Sequence, residues 1–190
     1  DLDVNSGNLI LGEQSQYNNV IVTGSGSSMT NAVDLNIGFV GGDYNSLSIL
    51  NGATVSATNA KIGVTTGEIG NSLTVSGTGS NLTTSNLVRV GDSGDSSSLT
   101  VSAGGSVSAY QLWVANGIGN GNASVTVTGA NSAIHLTNGL NTSSNSGTAN
   151  AISVTDGATL DTGMGMVLYS ADNSVLIDGM GSTATTATLR

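Results

Sequence analysis

One short phrase recurs along this chain at a nearly fixed interval. Its copies begin at Val20, Leu47, Leu73, Leu99, Val125, Ile152 and Val175, and they read VIVTGSGS, LSILNGAT, LTVSGTGS, LTVSAGGS, VTVTGANS, ISVTDGAT and VLIDGMGS. The copies start about 26 residues apart, with a shorter last step. A fixed period of this size is typical of a repeat architecture, in which each copy forms one layer and cannot bury its apolar face alone. Such a chain presents a long regular surface rather than a central pocket.

Two further apolar segments accompany each copy of the phrase. The segment before the phrase occupies residues 9–12, 35–38, 60–63, 88–91 and 112–115, and it is degraded at 140–143 and 166–169. The segment after the phrase is marked by Met29, Val55, Leu82, Val107, Ile134, Leu160 and Ala184. Apolar and polar residues alternate in these segments, which indicates half-buried β-strands. Each period is therefore predicted to hold three short strands separated by turns.

Three strands in one period describe one coil of a parallel β-helix, whose coils stack about 4.8 Å apart. Left-handed β-helices favour short hexapeptide repeats, whereas the longer and less even coil here favours the right-handed form. We therefore predict a single all-β domain over residues 1–190, which is a whole subunit or a segment of a longer solenoid. It is expected to be a right-handed parallel β-helix (β-solenoid) of about seven coils with three strands each.

Amide and aliphatic side chains recur at fixed positions of the period. One amide column lies just before the phrase, at Asn18, Asn45, Asn71, Asn150 and Asn173, and a second runs through Asn59, Asn86, Gln111 and Asn138. Stacked amides can hydrogen-bond from one coil to the next, so the first column is predicted to be a structural Asn ladder. The inward column of the phrase, Val22, Ile49, Val75, Val101, Val127, Val154 and Ile177, is predicted to form a dry core.

The charge of the chain excludes several partners. It has 12 acidic and three basic residues, for a net charge of −9. Nucleic acid and anionic membranes both reward Lys and Arg, so neither is expected to bind. No apolar run approaches the roughly 18 residues of a membrane span. The absence of Cys fits a protein that crosses an oxidising compartment unfolded.

The phrase LTVSGTGS at residues 73–80, followed by VRVG at 88–91, carries a resemblance to a known group of proteins. The chain resembles, over essentially its whole length, the repetitive right-handed β-helix passenger domains of bacterial autotransporters and related secreted adhesins and haemagglutinins. The resemblance implies a secreted or surface-exposed protein whose β-helix acts as a stalk or as a binding surface. It carries over no catalytic residue.

Both ends of the chain read as strands without a capping segment. Leu2 and Val4 lie at one end, and Ala187, Leu189 and Arg190 lie at the other. Open β edges invite pairing with another chain, and solenoids normally need caps for solubility. These residues are therefore predicted to make end-to-end contacts in a head-to-tail homopolymer, or to continue into a longer β-helix.

Few side chains suggest binding or catalysis. Lys61, Arg89 and Trp113 are expected to stack outward on consecutive coils, where a cation beside an aromatic ring could bind a glycan or an acidic group. Ser108, His135 and Asp161 occupy equivalent outward positions in an order that resembles a catalytic relay. Because Ser is so abundant here and no oxyanion-binding arrangement is evident, we expect no catalytic residue and no enzyme.

Acidic turns and hydroxyl rows admit two weaker interpretations. Glu13, Asp43, Glu68, Asp92 and Asp95 follow the segment before the phrase, where carboxylates could bind Ca²⁺. They match no established calcium motif, so no cofactor and no metal site is predicted. Outward Thr and Ser of the phrase, such as Thr74 and Ser76, could order water, although Thr is also simply a good strand residue.

These features together predict a non-enzymatic structural β-solenoid, located outside the cell or on a bacterial surface. It would stack head to tail into a fibre or form part of a cell-surface stalk. The alternative is an adhesin passenger segment that binds a glycan or a host surface through an exposed sheet face.

Overall fold

The computed structural model describes residues 2–4, 7–31, 33–117, 121–142, 148–169 and 172–190. In chain order the strands are β1 Leu2–Val4, β2 Leu9–Glu13, β3 Asn19–Thr23, β4 Ser28–Asn31, β5 Asp34–Phe39, β6 Ser46–Leu50, β7 Thr54–Ala57, β8 Asn59–Ile62, β9 Ser72–Ser76, β10 Asn81–Thr84, β11 Leu87–Val90, β12 Ser98–Ser102, β13 Ser106–Val114, β14 Ser124–Thr128, β15 Ala133–Thr142, β16 Ala151–Thr155, β17 Thr159–Asp161, β18 Met166–Val167, β19 Ser174–Asp178 and β20 Thr183–Thr185. No described segment is a helix, so none could cross a membrane as one.

The strands stack in three parallel ladders, which confirms the predicted parallel β-helix. The seven phrase strands form one sheet in the order β3-β6-β9-β12-β14-β16-β19, here called the phrase sheet. The post-phrase ladder holds β1, β4, β7, β10, the first halves of β13 and β15, β17 and β20. The pre-phrase ladder holds β2, β5, β8, β11, the second halves of β13 and β15, and β18. Seven rungs are separated by six complete turns, so about six turns is a better count than seven coils.

The alternating pattern decides which side chains enter the core. In the phrase sheet Val75, Val101 and Val127 are opposite one another and fully buried, while Thr100, which precedes Val101 in the strand, points outward and is half-buried. Buried aliphatic residues from all three ladders form one continuous cluster along the axis. A coil of short strands cannot enclose large side chains, so Val, Leu, Ile and Ala suffice to fill this narrow interior.

The second amide column differs from the prediction. Leu87, not Asn86, aligns with Gln111 on one side and continues the column of Asn59 on the other. Gly139, not Asn138, is opposite Gln111. The reason is the corner between the post-phrase and pre-phrase ladders, which is one residue longer in these two coils and moves each Asn out of the column.

Candidate functional site

The structure aligns Lys61, Arg89 and Trp113 in one row across three neighbouring strands. Arg89 in β11 is directly opposite Lys61 in β8 on one side and Trp113 in β13 on the other. All three side chains are partly buried. The parallel register therefore brings them to consecutive coils on the outer face of the pre-phrase ladder.

Both cations of this row are already paired with carboxylates. Lys61 Nζ lies 2.5 Å from Asp34 Oδ2, and Arg89 donates from Nη1 to both oxygens of Asp92 at 3.0 and 3.2 Å. Among the described residues no cation–π contact joins Arg89 to Trp113. The row thus presents neutralised pairs rather than free positive charge, which weakens it as a site for an acidic ligand.

The Asp34 carboxylate is held beside this row by hydrogen bonds and by charge. Burial by itself would raise its pKa, but the hydrogen bonds from Lys61 and Asn59 outweigh burial, and the charges of Lys61 and Arg89 add to them, so the pKa of Asp34 is lowered. Asn59 Nδ2 donates to Asp34 Oδ1 at 2.7 Å, and Asn86 Nδ2 donates to Asn59 Oδ1 at 3.0 Å. The arrangement links three coils by side-chain hydrogen bonds.

In the amide column before the phrase, the side-chain oxygen and nitrogen can both hydrogen-bond to backbone groups. Asn71 Oδ1 accepts from the N–H of Asn45 at 2.9 Å, and Asn71 Nδ2 donates to the carbonyl of Gly42 at 2.8 Å. Asn18 Nδ2 donates to Asn45 Oδ1, and Asn150 Nδ2 donates to Asn173 Oδ1, both at 2.9 Å. Between these two groups the same position of the coil holds Ser97 and Ala123, so the column consists of two separate amide runs.

The glycines that end the pre-phrase segment leave room for the asparagine side chains of the next coil. A Cβ atom added to Gly12 would overlap the side-chain amide of Asn45, and one added to Gly38 would overlap that of Asn71. Both glycines also have positive φ, 77° in each case. Each Asn is thus inserted under a glycine of the preceding coil, and the two columns form one device.

An aromatic pair that the sequence reasoning missed lies beside the Asn column. The rings of Tyr17 and Tyr44 stack with centroids 5.2 Å apart and an interplanar angle of 4°. Tyr17 is 72 % exposed and Tyr44 is 43 % exposed. Gln16 Nε2 donates to Asp43 Oδ2 at 3.1 Å on the same turns. The repeated dipeptide Tyr-Asn at one-period spacing was the available signal.

The tyrosines hold an unusual backbone conformation that every coil shares. The residue before the amide position has positive φ in each coil: Tyr17, Tyr44, Gly70, Ser96, Asn122, Ala149 and Asp172, with φ between 51° and 70°. Non-glycine residues rarely adopt this region. In the first five of these residues the backbone N–H donates to a carbonyl of the next coil, as Tyr17 does to Asp43, and the bend that results turns the chain into the phrase strand.

The Ser108, His135 and Asp161 positions are aligned as expected from the period. Each is opposite the next in the post-phrase ladder, and all three line an open cleft of about 480 Å³ at the corner near Tyr110. They form no hydrogen bonds with one another in the described structure, and Asp161 Oδ1 instead accepts from the Gly163 N–H at 3.0 Å. Among the described residues these three side chains are therefore aligned but are not joined in a hydrogen-bonded relay.

Acidic turn residues act as hydrogen-bond acceptors. Asp43 Oδ1 accepts from the N–H of Ile69 at 2.9 Å, and Asp95 Oδ1 accepts from the N–H of Gly121 at 2.6 Å. In both cases the carboxylate reaches a backbone group of the following coil. Within the described ranges no three His, Cys, Asp or Glu side chains lie together in a group that could hold a metal ion.

Outward hydroxyls of the phrase sheet bond to one another along the axis. Ser102 Oγ donates to Ser76 Oγ at 3.0 Å, and Thr155 Oγ1 donates to Thr128 Oγ1 at 2.9 Å. These hydroxyls therefore stabilise the ladder in addition to facing solvent.

The two ends of the phrase sheet expose residues that belong to the core column. Ile177 in β19 is 47 % exposed, whereas Val154, one coil earlier in the same column, is fully buried. At the other end Val22 in β3 is half-buried, whereas Ile49 beside it is fully buried.

The structure describes the backbone pairing of the predicted end-contact residues, but not every one of their side chains. The backbone of Leu2 and Val4 pairs with β4, while their side chains fall outside the described part of the chain. Leu189 pairs with Met166 and is 64 % exposed, Ala187 N–H donates to the Gly163 carbonyl, and Arg190 N–H donates to the Met166 carbonyl at 3.1 Å.

No protein-family model matches this sequence, and no curated protein and no solved structure matches it.

Proposed function

We propose that this protein is a non-enzymatic structural β-solenoid that works outside the cell or on a bacterial surface. In this role it stacks head to tail into a fibre or forms part of a cell-surface stalk, as the passenger domains it resembles would do. The observation that supports this proposal is the incomplete burial of the core column at both ends of the phrase sheet, where Ile177 is exposed and Val22 is half-buried. Open edges and uncovered apolar residues are what a further solenoid rung would bury.

The interior supports a mechanical role. Three parallel ladders, a continuous aliphatic core and side-chain hydrogen bonds between coils tie each rung to its neighbours. These contacts recur along the axis without a disulfide, since the chain has no Cys. Stiffness of this kind suits a rod that carries load or holds another domain away from a surface.

Electron microscopy of the purified chain tests the stacking form of the proposal. The stacking form predicts rods longer than one molecule at high protein concentration, and it predicts that Ile177→Asp abolishes them by placing a charge on the uncovered core. Leu176→Asp is the matched control, because Leu176 is similarly exposed, at 52 %, but points outward. Discrete single-length particles at every concentration would remove the fibre, and rapid proteolysis of the folded chain would contradict the stalk as well.

A second candidate function is binding of a glycan. The stacked Tyr17 and Tyr44 rings favour it, since an exposed aromatic face beside polar groups can bind a sugar ring, and Gln16 and Asp43 supply those groups. The neutralised Lys61–Arg89–Trp113 row is the weaker surface. Glycan-array binding that is lost in Tyr17→Ala and retained in Trp113→Ala would support the tyrosine site, whereas no binding by the parent chain would reject an adhesin role.

A further inference from the structure

The turn that follows each phrase strand alternates between two lengths. Four residues separate the phrase strand from the post-phrase strand after β3, β9, β14 and β19, and three separate them after β6, β12 and β16. We call the first kind long-turn rungs and the second kind short-turn rungs. The real structural repeat is therefore a pair of coils.

The two turns differ in backbone conformation as well as in length. A long turn has left-handed residues at its first and third positions, such as Gly24 and Gly26. A short turn has them at its first and second positions, such as Asn51 and Gly52. The hydrogen bond that closes the turn also differs. In the long turn Ser27 N–H donates to the carbonyl of Gly24, the first turn residue, whereas in the short turn Ala53 N–H donates to the carbonyl of Leu50, the last strand residue.

One specific hydrogen bond joins each short turn to the long turn after it. The long turn ends in a serine whose Oγ accepts the N–H of the glycine in the preceding short turn. The bonds are Gly52 to Ser80, Gly104 to Ser132 and Gly157 to Ser182, each 3.0 Å. The short turn has Ala or Gly at the serine's place, so the pairing has a direction.

Ser27 is the fourth serine of this set, and it ends the long turn that follows the first phrase strand, β3. Its Oγ receives no such hydrogen bond from the described residues, because β3 is the edge strand of the phrase sheet. Beside it Val20 and Val22 of the core column are only half-buried. This edge therefore offers backbone groups, an apolar surface and one serine acceptor at the place where the inner rungs meet a short-turn glycine.

We infer that the β3 edge is an interaction surface for a parallel β-strand of the short-turn type. The partner strand would carry two inward aliphatic residues and a three-residue turn of the form Asn/Asp/Ala-Gly-Ala/Gly. Its glycine N–H donates to Ser27 Oγ and its aliphatic residues cover Val20 and Val22. This inference rests on the form of the proposed function in which a further rung continues the solenoid, and it assigns the partner of one end.

The chain's own last rung is the wrong partner for this edge. β19 is a long-turn rung, so β19 stacked directly on β3 would put two long turns in succession, which no inner pair of rungs does. The first glycine N–H of an inner long turn donates to the next rung, as Gly24 does to Leu50. At the last rung Gly179 N–H is instead satisfied by Asp178 Oδ1 at 2.7 Å, and that carboxylate lies on the edge.

The strand count of the ladders leads to the same conclusion for a head-to-tail junction. If β20 of one copy paired with β1 of the next, the post-phrase ladder would run on without interruption. The phrase sheet would then lack one strand between β19 and β3, because β1 lies one coil before β4 and the first phrase strand among the described residues is β3. The open position lies between two long-turn rungs, which is where the alternation places a short turn.

The experiment extends the full chain by one phrase strand of either type. Leu2 shares its column with Val55 and Leu82, so residues 46–53 (SLSILNGA) or 72–80 (SLTVSGTGS), fused directly before residue 1, each enter in register. We expect the short-turn extension to raise Tm by at least about 2 °C, a measurable shift for a chain of this size. The long-turn extension should raise it less, and Ser27→Ala should remove most of the difference. Hydrogen exchange should show a protected glycine amide in the short-turn extension.

The outcomes separate the inference from the proposed function. Equal increases in Tm from the two extensions would overturn the preference of this edge for a short-turn strand. The proposal that the solenoid accepts further rungs would still stand. An unchanged gain in Ser27→Ala would overturn the role of its Oγ. No gain from either extension would overturn both the inference and the idea that this end is continued by a rung. Ser132→Ala in the parent chain calibrates the loss of one equivalent internal hydrogen bond.

Discussion

The side chain of Asn71 occupies the space that a Cβ atom on Gly38 would need. The amide passes beneath the glycine to donate to the carbonyl of Gly42, while its oxygen accepts from the N–H of Asn45. Asn71 is fully buried, so these two bonds replace the water that the backbone groups of the turn would otherwise require. Glycine in one coil and asparagine in the next are therefore a single structural requirement.

Substitution of Gly38 tests this contact. Gly38→Ala should lower the free energy of unfolding by about 2–4 kcal/mol, because it adds a steric overlap to the strain of a left-handed alanine. Gly41→Ala is the control, since Gly41 has a similar φ of 83° but nothing within 4 Å of its added Cβ. That control should cost about 1 kcal/mol. Equal costs in urea unfolding would show that the Asn71 side chain can move aside.

Removal of the amide itself leaves two buried backbone groups without partners. We expect Asn71→Ala to destabilise the fold by about 2–4 kcal/mol, since each unsatisfied buried group costs roughly 1–3 kcal/mol. Asn19→Ala is the matched control: Asn19 is exposed, and among the described residues its side-chain oxygen accepts only from the Ser46 hydroxyl. Its loss should change the urea midpoint little. A similar effect of both substitutions would argue against the backbone role of the column.

The period alone was enough to predict the ladders, the inward columns and the alignment of Arg89 with Lys61 and Trp113. Two coils of similar apolar pattern can stack in only one register without exposing their core residues, so these positions follow from alternation. The corner residues were harder to place, because Ser85 and Asn86 fill a bend that holds only Thr58 one coil earlier. Such a length change is invisible to a pattern read at fixed spacing.

The sites were less predictable than the fold for a related reason. Whether Lys61 and Arg89 are free depends on Asp34 and Asp92, which lie at other positions of the period and meet them only through side-chain geometry. The Tyr17–Tyr44 stack likewise depends on a shared left-handed backbone that no propensity scale favours for tyrosine. The alternation of turn lengths was present in the sequence, but a single average period concealed it.

The ion pair of Lys61 and Asp34 should make stability depend on pH in acid. Because the pKa of Asp34 is lowered in the fold, its contribution is complete above the ordinary value of 3.8 and is lost as pH falls through the lower folded pKa. Lys61→Met should therefore cost about 1 kcal/mol at neutral pH, and this cost should shrink at pH values below 3.8. Urea unfolding of parent and variant across this range makes the measurement. Parallel pH profiles would contradict the coupling.

The core column of the phrase sheet makes the strongest prediction about cooperativity. Val101 is fully buried between Val75 and Val127, so Val101→Asp places a buried carboxylate between two aliphatic side chains. Since each rung is stabilised by its two neighbours, we expect the variant to lose hydrogen-exchange protection in β9, β12 and β14 together and to melt well below the parent. Thr100→Asp, at the adjacent outward position, should keep that protection. If Val101→Asp melted like the parent, its column would not be the core.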